Sequence, residues 1–164
     1  SKALRWMMTG GKILVVVIKL HYAAHGHTAA EVIYERADAE QPFMGLRTFS
    51  GELPTKKDIG IAKNYLDEQE LRVLNNLVSG YFDLAEIAAI EHRPMYMKDW
   101  KERLDVILKL NERNVLEGPG NISHELAKQK AESEYTKYKE IEKEQIHLES
   151  IKELDKDIKR LKGK

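Results

Sequence analysis

Residues 67–94 read DEQELRVLNNLVSGYFDLAEIAAIEHRP. Within them Leu71, Leu74, Val78, Tyr81, Phe82, Ala85 and Ala89 recur at intervals of three and four, which puts them on one face of an α-helix. Asp67 and Glu70 have the spacing of a capping box, and Leu66 and Leu71 stand at the hydrophobic-staple positions around it. Pro94 forbids the helix from running on. A long amphipathic helix with its own start and stop signals sets the class: the chain is read as all-α, an irregular helical bundle.

The same punctuation extends in both directions. Downstream, Met97, Trp100, Leu104, Ile107 and Leu108 mark a second amphipathic helix. Upstream, Thr55 to Asp58 reads as the cap of a helix ending near Tyr65. Thr28 and Glu31 form another capping box, opening a helix from Ala29 to about Ala37, and Gly26 suits the end of the helix before it. Residues 38–54, with Pro42, Gly45, Gly51 and Pro54, form a long connection. Its Phe43, Met44, Leu46 and Phe49 predict a segment packed against the domain. Tyr81, Phe82 and Trp100 are read as core.

Two segments stand apart. Residues 1–18 contain Gly10-Gly11 followed by the run Ile13–Ile18, whose β-branched residues favour a short buried strand, with a buried helix segment as the alternative. No partner strand stands out elsewhere. After the break Gly118-Pro119-Gly120, residues 121–164 carry 11 Lys/Arg and 10 Asp/Glu. That density, with helix-compatible pairs such as Asp155 and Lys159, predicts a long charged helix capped by Asn121 or Ser123. Tyr135 and Tyr138 are placed where it meets the domain. Ile151, Leu154, Ile158 and Leu161 make an a/d seam over two heptads, a stripe that needs another surface to bury it. The expected organisation is an atypical N-terminal segment over 1–18, a helical domain over 19–117 and a long helix over 121–164.

Composition excludes several classes. Lys+Arg and Asp+Glu are both 27, so no net charge draws the chain to nucleic acid or to anionic lipid. With no cysteine there are no disulfides, thiolate metal sites or Cys nucleophiles, as in a reducing cytoplasm. The longest apolar run, Ile13 to Ile18, falls far short of the ~20 residues that span a bilayer. A cytoplasmic chain with no membrane segment is expected.

The residues able to carry chemistry concentrate in one place. His21, His25 and His27 lie within seven residues, followed by Glu31. His21 and His25, four apart, share a helix face and have the spacing of two ligands of a divalent metal. His25 and His27 are candidates for proton transfer near neutral pH. Tyr22 stands where a zincin carries its general base, so that reading fails. The bland alternatives are that His25 interacts with the negative end of its helix and that Glu31 serves its capping box. Arg47, Lys56, Lys57 and Lys63 form a basic group beside the long loop, where a phosphate could meet the helix start after Thr55. A solvated charged face is the competing reading. No cofactor motif is present, and no Ser nucleophile elbow.

Lys19-Leu-His-Tyr-Ala-Ala-His-Gly-His-Thr-Ala-Ala-Glu-Val-Ile-Tyr34 resembles the C-terminal half of the virulence protein RhuM family. So do Arg36-Ala-Asp-Ala-Glu-Gln-Pro-Phe-Met-Gly-Leu46, Ala62-Lys-Asn-Tyr-Leu66, Pro94-Met-Tyr-Met-Lys-Asp-Trp100 and Ile122-Ser-His-Glu125, in order over about residues 19–140. The resemblance implies a bacterial, virulence- or mobile-island-associated protein whose N-terminal half looks like a phage-type DNA-binding region. That half is not among these residues, so DNA binding is not carried over. Residues 1–18 depart from the family pattern, as a truncated or frameshifted gene would make them. Some relatives carry Fic/Doc domains, but the Fic motif is absent here.

The leading expectation is a module for protein–protein interaction or assembly, self-associating or holding a partner through its C-terminal helix. The alternative is a His-cluster enzyme, with or without a metal, acting on a phosphorylated or nucleic-acid substrate. Nucleic-acid binding by these residues alone ranks last.

Overall fold

The computed structural model describes residues 12–94 and 96–163. Among them are five α-helices and no strand: α1 Lys12–His25, α2 Ala29–Arg36, α3 Glu68–Ile90, α4 Met97–Leu110 and α5 His124–Lys162. Three short 3-10 turns, Pro42–Gly45, Asp58–Gly60 and Ala62–Tyr65, fill the stretch between α2 and α3.

The expected short strand at Ile13–Ile18 is instead the first part of α1, which runs unbroken through residue 18. Val16, Leu20 and Ala23 are buried at helical spacing, and α1 lies against α3 and α4. Tertiary packing of that face overrides the β preference of Val and Ile, which is a weak prior. Residues 1–11 of the expected atypical segment lie outside the described residues.

Two packed groups share one core. In the first, α1 meets α3 and α4, with Tyr81 edge-on to Trp100 at 6.0 Å and its hydroxyl donating to the Trp100 carbonyl. Lys19 reaches across from α1 to Asp105 on α4 at 2.6 Å. In the second, α2 lies along the first half of α5 and against the turn Ala62–Tyr65. Val32, Met44, Tyr65 and Leu66 are almost wholly buried between these layers, and Tyr135 and Tyr138 pack at the edge. The loop over 38–54 is therefore held down by Met44, Leu46 and Pro54, while Phe43 stays open to solvent. Phe82, read as core, is also turned outward, and Ala88 rather than Ala89 is buried at the end of α3.

The segment after Thr55 is not an α-helix. Asp58 turns back, and the Thr55 amide and hydroxyl both donate to its carboxylate, at 2.9 and 2.6 Å. Those bonds hold the Asp58 carboxyl below the usual range. They close a tight turn that passes into the two 3-10 turns.

Among the described residues, backbone strain is confined to a few positions. Phe43, Met44 and Gly45 are three successive residues at positive φ (52°, 49° and 88°). A Cβ on Gly45 would lie 2.1 Å from the Arg36 carbonyl oxygen, so this turn admits only glycine. Helices α3 and α4 both end in Schellman turns. The His92 and Arg93 amides donate to Ala89 and Ala88, and the Glu112 and Arg113 amides donate to Lys109 and Leu108. In each, a side-chain-bearing residue, His92 or Glu112, takes the left-handed position that glycine usually fills. Glu112 is exposed. Glu112→Gly is therefore expected to stabilise the fold by about 0.5–1 kcal/mol, the relief of left-handed strain less the added entropy of the unfolded chain. Thermal denaturation of the two proteins checks it; a lower midpoint for the variant contradicts it.

Candidate functional site

The C-terminal turn of α1 presents His21 and His25 to the interior. Their rings meet edge-on, with His21 Nδ1 and His25 Nε2 3.4 Å apart. His21 is buried, and burial first, then the neighbouring His25 and Lys63, lowers its pKa to about 4. Burial also lowers that of His25, although Glu70 opposes the effect. Burial thus favours the neutral form of both rings, and in a neutral pair one facing nitrogen can donate to the other. His25 Nδ1 is buried with no hydrogen-bond partner among the described residues. The chain turns after His25, and the His27 ring stacks near it at 6.1 Å, its Nδ1 3.1 Å from the His25 carbonyl. The three imidazoles therefore form a row, His21–His25–His27, that ends at Glu35, 3.2 Å from His27 Nε2.

Two facing ring nitrogens at this distance could share a ligand, but a metal set needs a third. Among the described residues no group of three His, Cys, Asp or Glu is placed to hold a metal ion. Glu31, the carboxylate that follows the histidines in the sequence, is engaged otherwise. The Thr28 amide donates to one of its oxygens at 2.8 Å, and the Asn121 amide donates to the other at 2.9 Å, while its own amide donates to Thr28 Oγ1. Burial pushes this carboxyl up, but the two backbone donors outweigh it, and the net shift is downward. Glu31 is thus a joint between the start of α2 and the approach to α5. His27 and Glu31 line a cleft of about 850 Å³ with Tyr34, Glu35, Glu117 and Asn121.

The basic group does not converge. Arg47 is exposed and lines a cleft of about 700 Å³ beside Arg36, Asp38 and Glu70. Lys56 faces another cleft and pairs with Glu132 on α5 at 3.6 Å. Lys57 and Lys63 are exposed, and Lys63 lies close enough to His21 to disfavour its protonation. The place where an anion would meet the Thr55 amide is taken by the Asp58 carboxylate.

Three long-range polar contacts shape this region, each between residues far apart in the sequence. Arg36 makes a two-pronged pair with Glu70, both contacts 2.7 Å, which carries the Glu70 carboxyl down to about 2. Lys19 pairs with Asp105. Glu134, buried on α5, accepts the Ala39 amide at 2.9 Å while Lys130 and Lys137 flank its other oxygen, and the Ala39 bond chiefly lowers its pKa. The partners are 34, 86 and 95 residues apart, beyond the reach of helical spacing rules.

The second feature is the far half of α5. Every described residue from 143 to 163 is exposed, so about 30 Å of helix projects past the domain. Leu148, Ile151, Leu154, Ile158 and Leu161 are 48% to 76% exposed along it. Among the described residues no helix is long and apolar enough to cross a membrane.

A model of the virulence protein RhuM family matches residues 13–146. No curated protein matches the chain, and no solved structure does.

The neutral His21 has a thermodynamic consequence. Its folded pKa of about 4 lies below the ordinary value of 6.5, so between those limits the unfolded chain binds the extra proton. Its contribution to stability is complete above pH 6.5 and is lost as pH falls toward 4. At about 1.4 kcal/mol per pH unit for one proton, the loss across that window is on the order of 3 kcal/mol. The carboxyls of Glu31, Glu70 and Glu134 are shifted downward, so the upper part of the window reports on histidine. Urea denaturation at pH 7.0, 6.0 and 5.0 should show this decline in the native protein and a much flatter profile in His21→Gln; equal slopes would refute the assignment.

Proposed function

The chain belongs to the virulence protein RhuM family, and from that premise we propose that it is a bacterial, cytoplasmic assembly module: a helical platform that docks onto another polypeptide through the free half of α5. The observation that carries this reading is the run of exposed apolar side chains from Leu148 to Leu161 on a helix surrounded by solvent. A helix of this length in water draws most of its stability from burying an apolar face. Burying one Ile or Leu fully contributes about 1.5–3 kcal/mol. Intrahelical pairs such as Asp155–Lys159 and Asp157–Arg160 add only a few tenths each.

The geometry of α5 favours another chain over its own domain as the covering surface. Its first half packs inward through Ala127, Ala131, Glu134 and Tyr138. Ala127 to Ile151 and Glu134 to Ile158 span 24 residues, and Ala131 to Leu154 and Tyr138 to Leu161 span 23. At 3.6 residues per turn these separations are about six and a half turns, so the outer stripe lies roughly half a turn around from the inner one. The helix thus turns one face to its domain and, farther along, the opposite face outward. The family match ends at residue 146, so the docking face rests on this chain's own residues.

A chain ending at residue 142 tests the reading. It should keep the domain's cooperative melt, with a midpoint within about 3 °C of the full chain, since no buried contact is lost. A melt lowered by more than about 10 °C would make the tail part of the domain's own core and overturn the proposal.

A further inference from the structure

Resting on that reading, we infer that the partner is a second copy of this chain, paired in parallel as a short two-stranded coiled coil through Ile151, Leu154, Ile158 and Leu161. Three observations converge on this occupant. The first is the residue type at each register position. Ile151 and Ile158 take position a, and Leu154 and Leu161 take position d. A β-branched residue at a with leucine at d favours two parallel strands, whereas isoleucine at both favours three.

The second is charge. In a parallel pair, each g position faces the following e position of the partner helix. Asp157 is at g and Lys162 at e, so each copy's Asp157 would face the other copy's Lys162, a pair of attractive contacts related by the two-fold axis. Antiparallel pairing over the same four layers would set Asp155 against Asp155 and Asp157 against Asp157. The tail therefore discriminates against the reverse orientation by repulsion as well as favouring the forward one by attraction. A mixed pair with an unrelated basic or acidic helix would lack that self-complementary arrangement.

The third is space. Parallel pairing brings both domains to the same end of the pair, where they would collide if they sat on the seam side. They do not: the domain lies on the face roughly half a turn away from the seam, set by Ala127, Ala131, Glu134 and Tyr138. Toward the domain, Glu144 and His147 occupy the preceding a and d positions and end the seam. With only two heptads the pair is weak and its population depends on concentration.

Sedimentation equilibrium from about 1 μM to about 1 mM reads that population, together with amide exchange at both ends of the range. The expected result is a rise from one chain to two, with residues 148–162 gaining protection in step. Ile158→Asp should hold the chain monomeric throughout and leave the domain's melt unchanged, because that residue touches nothing in the domain. Orientation follows from a thiol in a chain that has none. Leu161→Cys should oxidise readily to a covalent pair near 1 mM, while Lys156→Cys, on the outer surface, should not. A trimer, or preferred cross-linking between Ile151→Cys and Leu161→Cys copies, overturns the parallel pair. A monomer up to about 1 mM with rapid exchange over 148–162 overturns the second copy and leaves a different partner protein as the occupant. A monomer in which those amides are as protected as residues 127–138 overturns both this inference and the docking reading beneath it.

Discussion

The carboxylate of Glu31 is the joint on which the arrangement depends. It is the last part of a local device, the Thr28 capping box, and the first part of a long-range one, accepting the amide of Asn121 from the far side of the domain. A buried carboxylate with both oxygens filled by backbone donors fixes two chain segments to within a hydrogen-bond length. Gly120 completes the fit: a Cβ there would come 2.8 Å from the Thr28 methyl and 3.1 Å from Glu31. The break at Gly118-Pro119-Gly120 is thus docked onto the start of α2, and Ser123, whose hydroxyl accepts the Leu126 amide, starts α5 from that point. About three turns on, Glu134 takes the Ala39 amide. Two buried carboxylates on one line hold α5 at two places, and two fixed points determine where a rigid helix goes next.

The histidines sit beneath that joint. His21 is buried and His25 half-buried, while His27 borders a cleft. The Arg36–Glu70 pair closes the other side, tying the end of α2 to the start of α3. Glu70 serves twice, in its own capping box with Asp67 and as the anchor of Arg36. Glu31 and Glu70 both combine a helix-start function with a longer-range bond. In this small domain, capping residues double as ties between elements.

Where both halves of a helix-start signal are present, the sequence places the helix. The boxes at Thr28/Glu31 and Asp67/Glu70, the long α3 and the extended α5 follow from spacing alone, because each depends on residues within a turn of one another, while of the two caps offered for α5 the structure uses Ser123 and not Asn121. The strand reading of Ile13–Ile18 failed because β-branched composition speaks to local preference, while α1 answers to the faces of α3 and α4. The cap reading at Thr55 failed for a different reason: Asp58 can fold back on Thr55 as readily as continue a helix, and nothing nearby decides between them. Of the candidate site, the spacing of His21 and His25 placed them together, but no spacing rule could show that Glu31 would be claimed by Asn121, 90 residues on.

The offset between the two stripes of α5 links these findings to function. A helix that only completed its own domain would end with the contacts of Tyr138, and a helix that only paired with a partner would carry its seam from the start. On the proposed reading one unbroken element does both in succession. The shift of roughly half a turn between Ala127–Tyr138 and Ile151–Leu161 is what keeps the two tasks from competing for one face. Because Glu31 and Glu134 fix the azimuth of the first stripe, they also fix that of the second. The buried joint thereby sets the direction in which the exposed seam looks, about 30 Å away along a rigid rod. A change that let α5 rotate at its base would redirect the stripe without touching a residue of it, so the direction of the proposed docking face is specified as much by the core as by its own side chains.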